Sequence, residues 1–528
     1  MAEHEINRAV EASLDSASLS FRDLLKWAFS FPVLLGTVFA GVAFCVARQL
    51  SLDPDVWWHL KDGEAILATR HWPTTDPYSF TVHGFPWIAF EWGGDVTLAA
   101  ALKVGGVRGL DILLFTLGTA ILLALYALAT ISSGKSKAGF AAAVLLTPMV
   151  IAQFNLRPQM LGYLLLVLAM IMLVRFRHGK PRTLWLFPLL MLVWINSHGS
   201  WVIGMGALFV YWMAGLFEFQ VGGIEAQKWS PTQRKQLSLV FLLSVVLLLV
   251  NPYGTELVAF PFKIARGYQV SHTIVNEWLP MNFNIAAGKV FLFIILGFIV
   301  AQVVYGFRWR LEELALCLFG VFAAFIHLRF VLLFVPFFTP FLARILAQWV
   351  PAYSREKDKD LLNAALMAGA AALMVFSYPT RADLERKIAD QFPVQAVQYI
   401  RAHHVPGPTF NSYWFGGYLL WRGQKVFIDG RSELYEDGGV LQDFAQLDYL
   451  RIGGLDILRR YQIQSCLLQP DAPLATVLAA LPNWERIYSD RTSVLFVHRG
   501  PWQSLPTSLD KQIANVASRA TEPLQSHE

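Results

Sequence analysis

Charge is scarce in this chain. Only 15% of its 528 residues are Asp, Glu, Lys or Arg, against roughly a quarter in an ordinary soluble domain, and 55% are hydrophobic. That balance, with a mean hydropathy of +0.45, excludes a soluble globular protein and points to a multi-pass membrane protein. Cysteine is scarcer still. Cys45, Cys317 and Cys466 supply no disulfide framework, because two lie in apolar runs and the third stands alone. The formal net charge of +5 does not describe a nucleic-acid footprint, since the basic residues fall at the ends of apolar runs. No cleavable leader stands out either: residues 1–26 are mixed in charge, and the first apolar run reads as a retained anchor.

What is present is a series of apolar runs near 28–47, 110–131, 138–152, 159–175, 184–197, 201–219, 237–251, 289–306, 311–326, 330–349 and 362–378. They predict a mainly α polytopic membrane protein of about eleven transmembrane helices. The flanking Lys and Arg set the orientation. With the N-terminus inside, the inner segments collect Arg22 and Lys26, Lys135 and Lys137, Arg175 to Arg182, Lys228 to Lys235, Arg308 and Arg310, and Arg355 to Lys359. The longer outer segments hold far fewer. The expected layout is a cytoplasmic segment 1–27, a transmembrane part 28–378 with an outer loop 48–109, an extracytoplasmic domain 379–500, and a polar tail 501–528. Such a chain belongs in a bacterial inner or plasma membrane. The outer domain reads as small and α/β: "FPVQAVQYIRAHHV" has helical periodicity, "KVFIDG" and "SVLFVHR" are strand-like, and "GLDILRRYQIQSCLLQP" reads as a helix followed by a strand.

Every polar cluster of note falls on the outer face. In "DPDVWWHLKDGEAILATR", Asp53-Pro54 reads as a helix start, with Asp53 as the cap. Asp55, His59 and Asp62 then fall at i, i+4 and i+7, a polar stripe beside Val56, Leu60 and Leu67. Such a stripe suits a divalent ion or a proton acceptor. It equally suits the solvated face of an interfacial helix, with Trp57 and Trp58 as headgroup anchors. The aromatics Trp72, Tyr78, Phe80, Trp87, Phe90 and Trp92 fit sugar rings or headgroups alike. Glu91 and Asp95 share a helical face in "EWGGDVTLAAAL", as further ligands or as surface charges.

The order of motifs adds a resemblance. "PDVWWHLKDGEAILATR" resembles the start of the first outer loop in the GT-C superfamily of membrane glycosyltransferases, and Asp55 matches the Asp found there in oligosaccharyltransferase catalytic subunits. "HTIVNEWLP" is similar to their Thr-Ile-x-Glu motif with one extra residue, making Glu277 the matching carboxylate. "HLRFVLLFVP" resembles the Arg-Phe pair whose Arg contacts the lipid-linked phosphate, here Arg329. "NSYWFGGYLLW" stands where those enzymes carry Trp-Trp-Asp-Tyr-Gly, and "KVFIDGRSELY" follows. Two departures argue against asparagine-linked transfer. Phe415 replaces the Asp that recognises the acceptor sequon, and "QFNLRPQ" stands in place of an Asp-x-Asp pair, offering Asn155 and Arg157.

The resemblance covers about residues 28–445 and implies transfer of a sugar from a polyprenyl-phosphate or diphosphate donor. Asp55 and Glu277 are then the catalytic carboxylates, and Arg329 and Arg157 bind the donor phosphate, as the bidentate fork of Arg suits. A divalent cation, Mg or Mn, bridging Asp55 and Glu277 is an optional cofactor. His59, Trp57, Trp58, Tyr413, Trp414 and Tyr418 are the candidate substrate contacts; the interfacial helix with headgroup anchors competes for the first three, and packing of the outer domain on the membrane part for the last three. Arg329 has its own alternative, snorkelling to headgroups. His198 and His327 read as caps or packing, Gly416-Gly417 as a tight turn, and Asp429, Arg431 and Glu433 as a turn with surface ion pairs or an acceptor contact. The partners expected are the bilayer and a lipid-linked sugar. Two other classes compete: a catalytically inactive GT-C-like protein that binds lipid or a partner, and a transporter. The charges at the outer ends, rather than at mid-membrane, count against the transporter.

Overall fold

The computed structural model describes residues 21–50, 52–268, 270–271 and 278–502. Glu277 lies outside the described residues. The chain is mainly helical. Its first part comprises α1 (Phe21–Ala28), α2 (Phe31–Ala47), α3 (Val56–Thr69), α4 (Trp92–Ser133), α5 (Ser136–Ile151), α6 (Gln159–Arg177), α7 (Phe187–Ile195) and α8 (Trp201–Ala214). After β1 (Phe219–Val221) and β2 (Ile224–Ala226) come α9 (Pro231–Leu248), α10 (Thr255–Gly267), α11 (Ala286–Tyr305), β3 (Trp309–Arg310), α12 (Leu311–Ile326), α13 (Val331–Leu346) and α14 (Asp360–Phe376).

All the apolar runs of the sequence are helical, the form that satisfies every backbone group internally where water is absent. Among the described residues four helices are long and apolar enough to cross a membrane, or six if two bent pairs, α1 with α2 and α14 with α15 (Arg381–Ala389), each make one crossing. The protein is an integral multi-pass membrane protein. α4 is its central post and packs against α2, α3, α5, α6 and α13. A break at Gly106, with φ 59° and ψ −148°, separates the N-terminal arm of α4 from its apolar length. That positive φ is open to glycine and strained for other residues.

The N-terminal arm of α4 carries α3 on its side. A Cβ on Gly63 would lie 2.1 Å from the carbonyl of Asp95, so the two helices meet backbone to backbone. α3 is consequently buried around most of its circumference: Val56, Trp57, Trp58, His59, Leu60, Asp62, Gly63 and Ile66 are all inside. The expectation of an interfacial helix with one solvated face is thereby corrected. Trp57 and Trp58 face protein rather than headgroups.

The chain then forms α16 (Val394–Ala402), β4 (Thr409–Asn411), α17 (Tyr413–Trp421), α18 (Ser432–Asp437), α19 (Val440–Asp448), α20 (Gly454–Arg460), β5 (Ser465–Leu468), α21 (Pro473–Ala480), β6 (Trp484–Ser489) and β7 (Val494–His498). The sheet order is β4-β5-β7-β6, parallel only between β4 and β5. Two readings of the sequence change here. "KVFIDG" is not a strand of this sheet. Val426 makes a single bridge to Ser79, its carbonyl accepts from Phe80 N–H at 3.1 Å, and the Phe427 carbonyl accepts from Thr81 Oγ1 at 2.7 Å. Gly416-Gly417 is not a turn but the middle of α17, where bare backbone permits close contact. Cβ atoms there would lie 2.0 Å from the carbonyl of Ile428 and 2.5 Å from that of Pro54.

Candidate functional site

The site begins at the turn that opens α3. Asp53 caps it, as its position before Pro54 suggests: its Oδ1 accepts the Asp55 N–H at 2.9 Å. Asp53 does more, since it also pairs with the guanidinium of Arg157, from the turn between α5 and α6. Asp55 occupies the cap position of the regular helix but makes no side-chain cap bond. Its Oδ2 lies 2.9 Å from Arg157 Nη2. One arginine thus grips both aspartates. On the other side Asp55 rests against Gly430, where a Cβ would fall 1.6 Å from Oδ1. The expected donor-phosphate ligand Arg157 is therefore engaged in holding the carboxylates.

Behind Asp55 runs a buried chain of acids and imidazoles. His59 Nδ1 is 2.6 Å from Asp95 Oδ1, and His59 Nε2 is 3.6 Å from Glu91 Oε2. The other oxygen of Glu91 is 3.1 Å from His198 Nε2, and His198 Nδ1 is 2.8 Å from Ser200 Oγ. Burial moves these groups toward their neutral forms. It lowers His59 well below its ordinary value, lowers His198 to about 3 with help from Arg329 and Arg157, and raises Glu91 to about 8 against the opposing charge of Arg329. At neutral pH Glu91 holds a proton between two uncharged imidazoles. Asp62 lies alongside, fully buried next to Tyr78, and burial lifts it to about 7 while Arg431 opposes.

A third layer comes from the stretch after β4. Arg431, expected in a surface turn, is fully buried. Its Nε and Nη2 donate to the two oxygens of Asp429 at 2.8 and 2.7 Å, and Nη1 donates to Asp76 at 2.8 Å. Tyr435 Oη donates to Asp429 at 2.6 Å, and the guanidinium carbon sits 4.8 Å from the Trp87 ring centre. A buried guanidinium is tolerated only when its fork is filled in this way. Glu433, two residues on, has one oxygen shut off from solvent without a partner, and burial raises it to about 7.

The remaining predicted residues fall as follows. Arg329 stands in a short 3-10 turn, Leu328–Phe330, with its guanidinium 4.4 Å from the Trp278 ring centre. Among the described residues no carboxylate pairs with it. Trp57 is locked edge-on between Phe392 and Tyr418, with Trp421 beside it; Trp58 lies over His59, ring centres 3.5 Å apart. Tyr418 is 3% exposed. Trp57 and Tyr418 are thus buried in the seam between α3 and α17, which favours packing over substrate contact. Tyr413 donates to the Gly430 carbonyl at 3.3 Å, and Trp414 stacks on Phe392 from a more exposed position. His198 and Asp76 are the contributors that the sequence reading undervalued; Glu91 was singled out there with Asp95, four residues on, as a further ligand or a surface charge.

Among the described residues no trio of His, Cys, Asp or Glu is placed to hold a metal, and the charge opposite Asp55 is supplied by Arg157, shared with Asp53; Glu277, the other expected ligand, lies outside them.

The overall fold is similar to that of two solved structures. The Archaeoglobus fulgidus oligosaccharyltransferase AglB, solved with an inhibitory peptide and a dolichol-phosphate, matches with a TM-score of 0.50 at 11% identity over 84% of this chain and 70% of its own. ArnT from Cupriavidus metallidurans, solved with undecaprenyl phosphate, matches with a TM-score of 0.50 at 12% identity over 89% of this chain and 99% of its own. No family model matches the sequence, and no curated protein matches it.

Proposed function

We propose that this protein is a membrane glycosyltransferase that moves a sugar from a polyprenyl-phosphate-type donor to an acceptor on the outer face of the membrane. The N-terminus is then cytoplasmic and the unit after Pro379 is outside. The observation that carries the reading is the double pairing by which Arg157 holds Asp55 and Asp53, with Arg329, Glu433 and Asp55 all close enough to act on the charge of Glu91. Both solved neighbours were captured with a polyprenyl phosphate, which supports a lipid-linked donor here.

In this reading an acceptor hydroxyl or amine gives its proton to Asp55 as it bonds to the anomeric carbon. The bond from that carbon to the phosphate oxygen breaks, and its electron pair leaves with the lipid phosphate. Arg329 faces the developing phosphate charge, stiffened by its stack on Trp278. Arg157 acts as a positioning residue, because its fork is occupied by Asp53 and Asp55. Phe415, fully buried, supports an acceptor other than an asparagine sequon.

The test is transfer from radiolabelled polyprenyl-phosphate sugars by the purified protein in liposomes. Asp55→Asn should abolish transfer while leaving donor binding intact, and Arg329→Ala should weaken binding of the sugar-free lipid phosphate. Full activity in both variants overturns the site. A solute crossing the liposomes without any transfer overturns the enzyme reading.

A further inference from the structure

The turn that carries Arg329 is tied to a distant segment of the chain. α12 stops at Ile326, and His327, with φ −139° and ψ 125°, leaves it as extended backbone. One turn of 3-10 helix, Leu328–Phe330, then leads into α13. The backbone on both sides of His327 is spliced to the segment that precedes α11. Leu328 N–H donates to the Leu279 carbonyl at 3.0 Å, and Met281 N–H donates to the Phe325 carbonyl at 3.2 Å.

A side chain completes the splice. His327 makes no cap bond to the turn that follows it. Its Nδ1 reaches across 49 residues to the Trp278 carbonyl instead. A carbonyl only accepts, so Nδ1 carries a proton. The Trp278 ring stands nearly perpendicular to both His327 and Phe330, at 86° and 88°, with ring centres 5.2 and 6.0 Å away. Its backbone and its ring are thereby both set, and the guanidinium carbon of Arg329 lies over that ring, 4.4 Å from the centre.

The two arginines near Asp55 are thus held by different means. Arg157 is gripped by two carboxylates, which cancel its charge as they fix it. Arg329 is ordered by an aromatic face, which attracts a cation without neutralising it. Its charge still acts on Glu91 and on His198. We propose that Trp278 and His327 are positioning residues for the donor phosphate: His327 anchors the Trp278 backbone, and the Trp278 ring presents Arg329 with its charge intact. This deepens the proposed sugar transfer and rests on it. An arginine snorkelling to headgroups reaches water by its own length and has no use for a tryptophan fixed from two sides.

The experiment is a double-mutant cycle on the full chain in detergent, read by equilibrium binding of undecaprenyl phosphate, with donor KM and kcat measured alongside. Trp278→Leu should raise the dissociation constant about tenfold, the scale of a partly desolvated cation–π contact, and Trp278→Phe should recover most of that loss. His327→Gln should weaken binding several-fold. His327→Asn should recover most of it, because its amide nitrogen is bonded to Cγ as Nδ1 is. In an Arg329→Ala background neither Trp278→Leu nor His327→Gln should weaken binding further, since both act through that guanidinium. The loss should fall on donor KM rather than on kcat. An unchanged dissociation constant in Trp278→Leu, the same added loss in the Arg329→Ala background, or equal binding by His327→Asn and His327→Gln overturns the proposal and leaves sugar transfer standing. A natural chain that binds no undecaprenyl phosphate removes both. Should Trp278→Leu not fold, the two His327 variants in both backgrounds decide the matter.

Discussion

Arg157 lies 2.9 Å from Asp55 and also holds Asp53, the residue whose carboxylate caps the turn leading to Asp55. Cap and carboxylate are therefore aimed by one guanidinium. Arg157→Ala should release both and cut kcat by about 100-fold, the usual scale for a misplaced reacting group. Arg157→Lys, a point charge without the fork, should recover only part of that. Steady-state transfer kinetics with donor saturating make the comparison; a rise in donor KM at unchanged kcat would show that Arg157 binds phosphate instead.

Gly430 offers a sharper probe, because a methyl group there would fall 1.6 Å from Asp55 Oδ1. Gly430→Ala should displace the carboxylate from Arg157 and reduce transfer at least tenfold. The thermal midpoint in detergent should fall by no more than a few degrees, since one surface of one side chain moves. Full transfer by that variant would mean that Asp55 is not needed in its present position.

The raised acids predict how stability depends on pH. Glu91 has an ordinary value of 4.5 and is held up to about 8, so between those values the folded chain keeps a proton that the unfolded chain has lost. Stability from this group is full below 4.5 and is lost as pH rises through about 8. His198 acts oppositely: lowered from 6.5 to about 3, it costs stability as pH falls below 6.5. Above 6.5 the acids act without it, and Asp62 and Glu433, both raised to about 7, share the sign of Glu91. Thermal midpoints should fall from pH 6.5 to 8.5, and Glu91→Gln should flatten the part nearest 8. A midpoint that climbs with pH sinks this account.

Arg431→Met should be among the most damaging single changes in the chain. It strands Asp429 and Asp76 as buried charges, at a cost of about 3–5 kcal/mol for breaking such a pair from one side. Adding Asp429→Asn and Asp76→Asn should return a good part of that loss. Thermal unfolding of the single and triple variants tests it; equal stability of the two would place the damage in lost packing on Trp87.

The membrane part was legible because lipid imposes a simple rule, long apolar runs folded as helices, and each run did become one. The charged groups were harder to read. Asp55, His59 and Asp62 share a face in the helical count, yet Gly63 brings α3 so close to α4 that His59 turns to Asp95 while Asp55 turns to Arg157. Neither approach leaves a mark on local periodicity. Arg431 misled for a related reason: "IDGRSELY" has the composition of an exposed turn, and only its partner Asp76, far away in sequence, shows that it is buried. Trp57 and Trp58 have the amphipathic character of headgroup anchors, and the same rings fill a protein seam equally well.

The Arg431–Asp76 pair also bears on how such proteins can be recombined. One end belongs to the segment between α3 and α4 and the other to the segment after β4, and Val426 ties the same two regions by backbone. A graft of the C-terminal part onto a different membrane core would bring an arginine without its acid. Any exchange has to move residues 73–90 and 409–437 together, so the two segments travel as a matched set rather than as a detachable module.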